Sequence, residues 1–303
     1  VSVNRQHDLP ACVRHPDRPT GLRCVRCDRP ACPDCLREAS VGYQCVDCVQ
    51  EGARTVRAPR TVAGARVSRS RRLVVVPALV AVNLAAFVLT AVQAGSIVDN
   101  ERSTAFIEGV LRPVFVSAGE WWRLVTSGFL HFGNYGGYGP VHLLFNMVAL
   151  WVIGKDLEVA LGRVRFLVVY LLALLGGSTA IMLFGEPDGG VAGASGAVYG
   201  LFGGIAVVVF KAKLNPGPVL TLIAINIFLS VALPGISLLG HVGGLVAGAL
   251  ATAAMVYAPA RSRTQVQVGA CVALTVMLLV AVAVQSMSMD CITTPLGVSC
   301  FGI

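Results

Sequence analysis

Charge is scarce in this sequence. Only 13% of its 303 residues are charged, while 55% are hydrophobic. A soluble domain carries about 25% charged residues, so the shortage excludes an ordinary soluble enzyme and indicates a membrane protein. Carboxylates are scarcer still, 16 Asp and Glu against 24 Lys and Arg. The apolar runs hold almost no charge and show no inverted repeat. That argues against a transporter, which would need intramembrane charges or broken helices in two matching halves. No apolar run occurs before about Leu73, so no secretory signal peptide is expected.

Two parts remain. Residues 1–72 are polar and rich in Cys and Arg, and residues 73–287 are apolar runs separated by short polar loops. A bilayer-spanning helix needs roughly 20 apolar residues. Seven candidates meet or approach this: residues 73–94, a run from His142 through 147–154, then about 164–184, 195–210, 218–233, 236–258 and 266–287. The fifth and sixth are separated only by 233-LPGIS-237, where Pro234 and Gly235 call for a break.

The net charge of +8 is a matter of placement. Arg54, Arg57, Arg60, Arg66, Arg69, Arg71 and Arg72 precede the first apolar run, where the positive-inside rule puts cytoplasmic charge. Their neighbours are then anionic lipid headgroups, with no nucleic-acid role. Seven spans starting inside place 155–165, 211–217 and 259–265 in the cytoplasm, and these loops hold most of the later Lys and Arg. The acidic or neutral 185–190 and the C-terminal tail fall outside. The expected location is the cell (inner) membrane, multi-pass, with a cytoplasmic N-terminus and an external C-terminus. Residues 95–140 become a long external segment, whose 120-EWWRLVTSGFLHFG-133 suits the membrane interface.

Small residues recur late in the chain: Gly193, Gly196, Gly200, Gly203 and Gly204, then Gly240, Gly243, Gly244 and Gly248. Gly196/Gly200 and Gly244/Gly248 are GxxxG steps, which let helix backbones approach closely in lipid. The fourth and sixth helices are therefore expected to be neighbours, bringing Ser195 near His241. A lone helix-packing Ser or a core His is commonplace. Together they form a candidate dyad. The imidazole would take the proton that makes a serine hydroxyl nucleophilic. No Asp or Glu lies in these helices to complete a triad. Tyr199, one turn after Ser195, is placed to pack on the imidazole. His142 and Asn146 share a helix face at i and i+4. They are candidate oxyanion donors with the Ser195 N–H, freed at a helix start, or else they form a helix–helix hydrogen bond.

The pieces 121-WWR-123, 142-HLLFN-146, 193-GASG-196 with Tyr199, and 241-HVGGLVAG-248 resemble, in order, those of the rhomboid intramembrane serine proteases. The resemblance covers about residues 73–258. It implies a six-helix core with a water-filled cavity opening outward, Ser195 as nucleophile and His241 as base. It implies His142, Asn146, Gly193 and the Ser195 amide around the oxyanion, with Tyr199 in support. Arg123 would shape the loop after the first helix, and the fifth helix would be a lateral gate. One departure is His131. The family places a histidine five residues before the HxxxN histidine, whereas His131 precedes His142 by eleven, with a Gly- and Tyr-rich insertion at 132–141. His131 reads as structural.

Seven of the ten cysteines precede residue 50. They and one histidine form four pairs: Cys12/His15, Cys24/Cys27, Cys32/Cys35 and Cys45/Cys48. Eight such ligands make two tetrahedral zinc sites. A disulfide knot is the alternative, which an odd cysteine count and a reducing cytoplasm disfavour. Resemblance to a B-box-type zinc finger would group Cys12, His15, Cys32 and Cys35 around one ion and Cys24, Cys27, Cys45 and Cys48 around the other. Eight protein ligands imply structural zinc, and no cofactor is expected in the active site. His7 is spare. Cys271 reads as helix packing, and Cys291 and Cys300 as a candidate external disulfide.

The expected fold is an all-α polytopic membrane protein, a six-helix rhomboid-like core with a seventh C-terminal transmembrane helix, preceded by a small zinc-binding domain. The expected divisions are a zinc-binding domain at 1–52, a basic linker at 53–72, the protease core at 73–258, and the seventh helix with its tail at 259–303. The expected function is intramembrane serine endopeptidase acting on transmembrane segments of other proteins. The zinc domain would serve a protein partner or self-association. The alternative is a catalytically silent scaffold or chaperone for transmembrane helices. Such relatives usually lack the serine or the histidine, and both are present here.

Overall fold

The computed structural model describes residues 9–55, 60–65, 72–134, 140–233, 235–294 and 297–301. The chain divides into two compact units, residues 1–59 and 60–303. His7, Pro234 and the centre of the 132–141 insertion lie outside the described residues.

The first unit is small and built from two hairpins. Strands β1 (Ala11–Cys12) and β2 (His15–Pro19) pair antiparallel, as do β3 (Leu36–Glu38) and β4 (Tyr43–Cys45). Helix α1 (Val46–Thr55) follows. Among the described residues its core is the cysteines themselves, with Ala31 and Leu36 besides. About 40 residues cannot bury enough apolar surface to hold a fold on their own.

The second unit is helical. Helix α2 (Val75–Ala94) leads into three short helices, α3 (Thr104–Gly109), α4 (Pro113–Ser117) and α5 (Arg123–Thr126). Six long helices follow: α6 (Val141–Leu161), α7 (Arg163–Phe184), α8 (Ser195–Lys211), α9 (Gly217–Ala232), α10 (Leu238–Val256) and α11 (Arg263–Ser288). A hairpin of β5 (Asp290–Thr294) and β6 (Gly297–Phe301) closes the described chain. Helices α2, α7, α10 and α11 are long and apolar enough to cross a membrane, and α8 and α9 are shorter apolar helices. This is a multi-pass membrane protein.

Helix α6 runs further than the apolar pattern indicates. The residues expected in a loop, 155–161, continue the helix until Gly162, whose φ of 84° ends it. The extension places Glu158, almost fully buried, at the start of α2. Its Oε1 accepts from Val74 N and Val75 N at 2.9 and 3.2 Å, and its Oε2 from Val76 N at 2.9 Å. The first N–H groups of any helix lack intrahelical partners. Here a carboxylate from another helix supplies them and matches the positive end of the helix dipole.

Helix α10 packs against α7 and α8. In lipid the hydrophobic effect does not drive helices together, so close van der Waals packing must. Glycines make it so. A Cβ on Gly244 would overlap the Gly196 carbonyl, one on Gly248 the Gly200 backbone, and one on Gly177 would sit 2.7 Å from the Gly240 oxygen. Around this seam Tyr170, Phe166, Leu150, Leu157 and Leu201 are fully buried.

Candidate active site and metal centres

The segment entering α8 is held from three sides. Leu111 and Val191 exchange backbone hydrogen bonds of 3.1 and 2.9 Å, Gly193 N donates to Ser127 O at 2.9 Å, and Ala194 N to His131 Nε2 at 3.4 Å. Arg123, buried to 3% exposure, braces the loop that does this. It pairs with Glu120 at 2.6 Å and donates to the carbonyls of Ile107 and Val110 at 2.7 and 2.8 Å. His131 has a structural place. It is fully buried, its ring lies 5.2 Å from that of His142, and its carbonyl accepts from Asn100 Nδ2 at 2.8 Å. Asn100 also bonds Thr90 of α2 at 2.9 Å and Gly133 N at 2.7 Å, tying α2 to the loop at residues 131–133.

Ser195 is the first residue of α8, so its N–H and the next ones have no partner within the helix. Gly193 has φ 140°. A Cβ there would lie 2.9 Å from His142 Nε2 and 3.7 Å from Ser195 Oγ. The His142 ring and Ser195 Oγ thus both border the space that a side chain at 193 would fill. A small cavity of about 30 Å³, lined by Ser195, Ser127, Ser178, Gly193, Ser237 and Gly240, adjoins it, large enough to hold water.

His241 is buried on α10, and Tyr199 of α8 lies on its face, ring centroids 3.9 Å apart and planes 12° from parallel. Helix α8 therefore presents both Ser195 and Tyr199 toward α10. Two arrangements differ from what spacing alone indicates. The Asn146 amide donates to His142 O at 2.8 Å, back along its own helix. Among the described residues no hydrogen bond joins Ser195 to His241. The partner of His241 is instead Ser230 of α9, whose Oγ is 2.7 Å from Nδ1. Ser230 also donates to Asn226 O at 2.8 Å, and the Tyr199 hydroxyl is 2.7 Å from both Ser230 Oγ and Asn226 O. Sequence reading missed Ser230. The available signal was a polar pair, Asn226 and Ser230, one turn apart in an otherwise apolar helix.

In the first unit the cysteine pairs converge into two tetrads, Cys12, His15, Cys32, Cys35 and Cys24, Cys27, Cys45, Cys48. Within each the ligand atoms lie inside 4.8 Å of one another. Cys35 and Cys32 Sγ are 3.3 and 3.4 Å from His15 Nδ1, with Cys12 at 4.0 Å, and Cys27 and Cys45 Sγ are 3.8 Å apart. Tetrahedral zinc with Zn–S of ~2.3 Å and Zn–N of ~2.0 Å separates its donors by ~3.5–3.8 Å, so the donor sets fit that ion. The Cys32 backbone N–H is the main influence bringing the Cys12 thiol down to about 6, against burial. Arg29 donates to Cys27 Sγ at 3.4 Å, and its backbone and side-chain N–H groups lower the Cys27 thiol. Both tetrads could hold a metal ion.

In the C-terminal hairpin the register sets Cys291 opposite Cys300. Their side chains are outside the described residues. Cys271 lies half-buried on α11 as a free thiol.

Residues 118–258 match the Rhomboid domain family. The chain is 35% identical over 182 residues to Rhomboid protease GluP of Bacillus subtilis (strain 168), covering 58% of this chain and 34% of GluP. Identity to the Putative rhomboid protease YdcA of the same organism is 35% over 140 residues, covering 45% of this chain and 67% of YdcA. To Rhomboid protease AarA of Providencia stuartii it is 29% over 213 residues, covering 61% and 73%. The chain thus spans about a third of GluP and two thirds of YdcA. With its apolar helices, its Gly-seamed α8 and α10 and these relatives, the chain belongs to the rhomboid family and is homologous to rhomboid serine proteases.

Proposed function

We propose that this protein is an intramembrane serine endopeptidase that cuts transmembrane segments of other membrane proteins. The observation that carries this reading is Ser195 at an open helix start, beside the Gly193 gap that the His142 ring also borders and one turn before the Tyr199 that stacks on His241 across the packed α8–α10 seam. In this reading His241 Nε2 takes the Ser195 proton as Oγ attacks the scissile carbonyl. The oxyanion rests on the Ser195 N–H, on His142, and on the Asn146 N–H left free by its bond to His142 O. His241 then protonates the leaving amine, an acyl-enzyme forms on Ser195, and water releases it by the same base. Catalytic hydrogen bonds are often long without substrate, which accommodates the missing Ser195–His241 contact. The orientation we adopt, from the arginine bias, has the N-terminus cytoplasmic and the active site opening outward.

Zinc is the metal we assign to the two tetrads, as structural ions that supply folding energy to residues 1–52. A protein partner or self-association is the use we propose for that domain.

The test is a fluorophosphonate probe on the zinc-loaded protein in detergent, with the modified serine mapped by peptide mass spectrometry. Label is expected on Ser195, and none on Ser195→Ala or His241→Ala. Label on Ser230 would transfer the nucleophile to α9 and sink this assignment. A folded parent that takes no label favours the silent scaffold.

A further inference from the structure

We infer that Ser230 is a positioning residue for His241, fixing the imidazole tautomer that leaves Nε2 free to act as base. The inference rests on the reading of Ser195 and His241 as the reacting pair.

The direction of the hydrogen bonds carries it. The Ser230 hydroxyl has the carbonyl one turn back on its own helix, Asn226 O, as an acceptor 2.8 Å away, the usual place for a helical serine's proton. Its lone pair then faces His241 Nδ1 at 2.7 Å. With the hydroxyl proton on Asn226 O, the contact is made by an Nδ1–H donating to Ser230 Oγ, which leaves Nε2 unprotonated. Tyr199 reinforces the arrangement by holding the ring flat and placing its own hydroxyl 2.7 Å from Ser230 Oγ and from Asn226 O. Ser230 and His241 are 5% and 6% exposed, so water does not compete readily for either atom. In a Ser-His-Asp triad a carboxylate does this orienting and also stabilises the imidazolium. A carboxylate inside the membrane is costly. A hydroxyl anchored on a carbonyl gives the same orientation without a charge.

Helix packing alone does not account for the serine. Within a transmembrane helix its bond to the carbonyl four residues back already satisfies the hydroxyl proton. The contact to Nδ1 is additional. Ser230 is also the one buried residue of α9 among those described, while Ile225, Phe228, Leu229 and Val231 face outward.

The experiment uses the full zinc-loaded chain, ¹⁵N-labelled at histidine, as parent, Ser230→Ala and Ser230→Thr. His241→Gln assigns the His241 signals. Two quantities are measured across pH: the His241 tautomer from its ring nitrogen shifts, and the second-order rate of fluorophosphonate labelling. The parent is expected to hold the Nδ1–H tautomer. Ser230→Ala is expected to populate both tautomers and to label roughly tenfold more slowly or worse. Ser230→Thr, which keeps the hydroxyl, is expected to restore both. An Ala variant with the parent's tautomer and rate overturns the inference while leaving Ser195 as nucleophile. A parent with the expected tautomer that never labels at Ser195 overturns the catalytic reading instead, and the positioning role with it. If Ser230→Ala fails to fold, Ser230→Cys, of similar size and a weaker acceptor, is read by the same criteria.

Discussion

The phenol ring of Tyr199 lies on the imidazole of His241, 3.9 Å between centroids and 12° from parallel, while its hydroxyl reaches across to α9. The ring and the hydroxyl can be separated by mutation. Tyr199→Phe keeps the stack and loses the bonds to Ser230 and Asn226. Tyr199→Ala loses both. Aromatic stacking is worth about 0.5–1.5 kcal/mol beyond area burial, so the probe-labelling rate should fall only a few-fold in Tyr199→Phe and by roughly tenfold in Tyr199→Ala. Equal losses would mean that the hydroxyl alone matters.

The α8–α10 seam predicts a contrast between two glycines. A Cβ on Gly248 meets the Gly200 carbonyl, Cα and carbonyl carbon, whereas one on Gly269 of α11 meets nothing within 4 Å. Gly248→Ala should destabilise the protein by about 1–3 kcal/mol through overpacking. Gly269→Ala should be neutral or stabilising by up to about 1 kcal/mol, from helix propensity. Thermal unfolding in one detergent decides this, and equal shifts for the two would refute the packing account.

Metal analysis of the purified chain should find two zinc ions, one per tetrad. Cys24→Ser should lose one and Cys12→Ser the other. Chelation should unfold residues 1–52, read as loss of protease resistance there, while helicity in the membrane unit persists. Full retention of structure without metal would show that the tetrads are not needed for folding.

Legibility in the sequence followed the range of each interaction. The cysteine pairs were readable because the ligands within a pair are three residues apart, and four of the seven apolar spans because bilayer thickness sets their length. The α8–α10 neighbourhood was readable from glycine spacing, since small residues have one strong use in lipid. Three features were not. Glu158 looked like a charge in a cytoplasmic loop, and only the length of α6 and the placement of α2 make it a cap. Asn146 shares a face with His142, yet its amide turns to the carbonyl one helical turn back, a choice that spacing does not determine. Ser230 precedes His241 by eleven residues across a helix break, so their meeting depends on how α9 is rotated and crossed against α10. No local pattern encodes that.

Helix α9 has one buried side chain among its described residues, and that side chain meets the base. Any outward swing of α9 that makes room for a guest helix therefore disconnects Ser230 from His241. Cutting would then slow while α9 stands open and recover its full rate once α9 returns, so a segment that holds the helix open would be cut more slowly than one that lets it settle back. Selection would rest on how a guest lets the door shut, and the protein would need no separate sensor to tell the two apart.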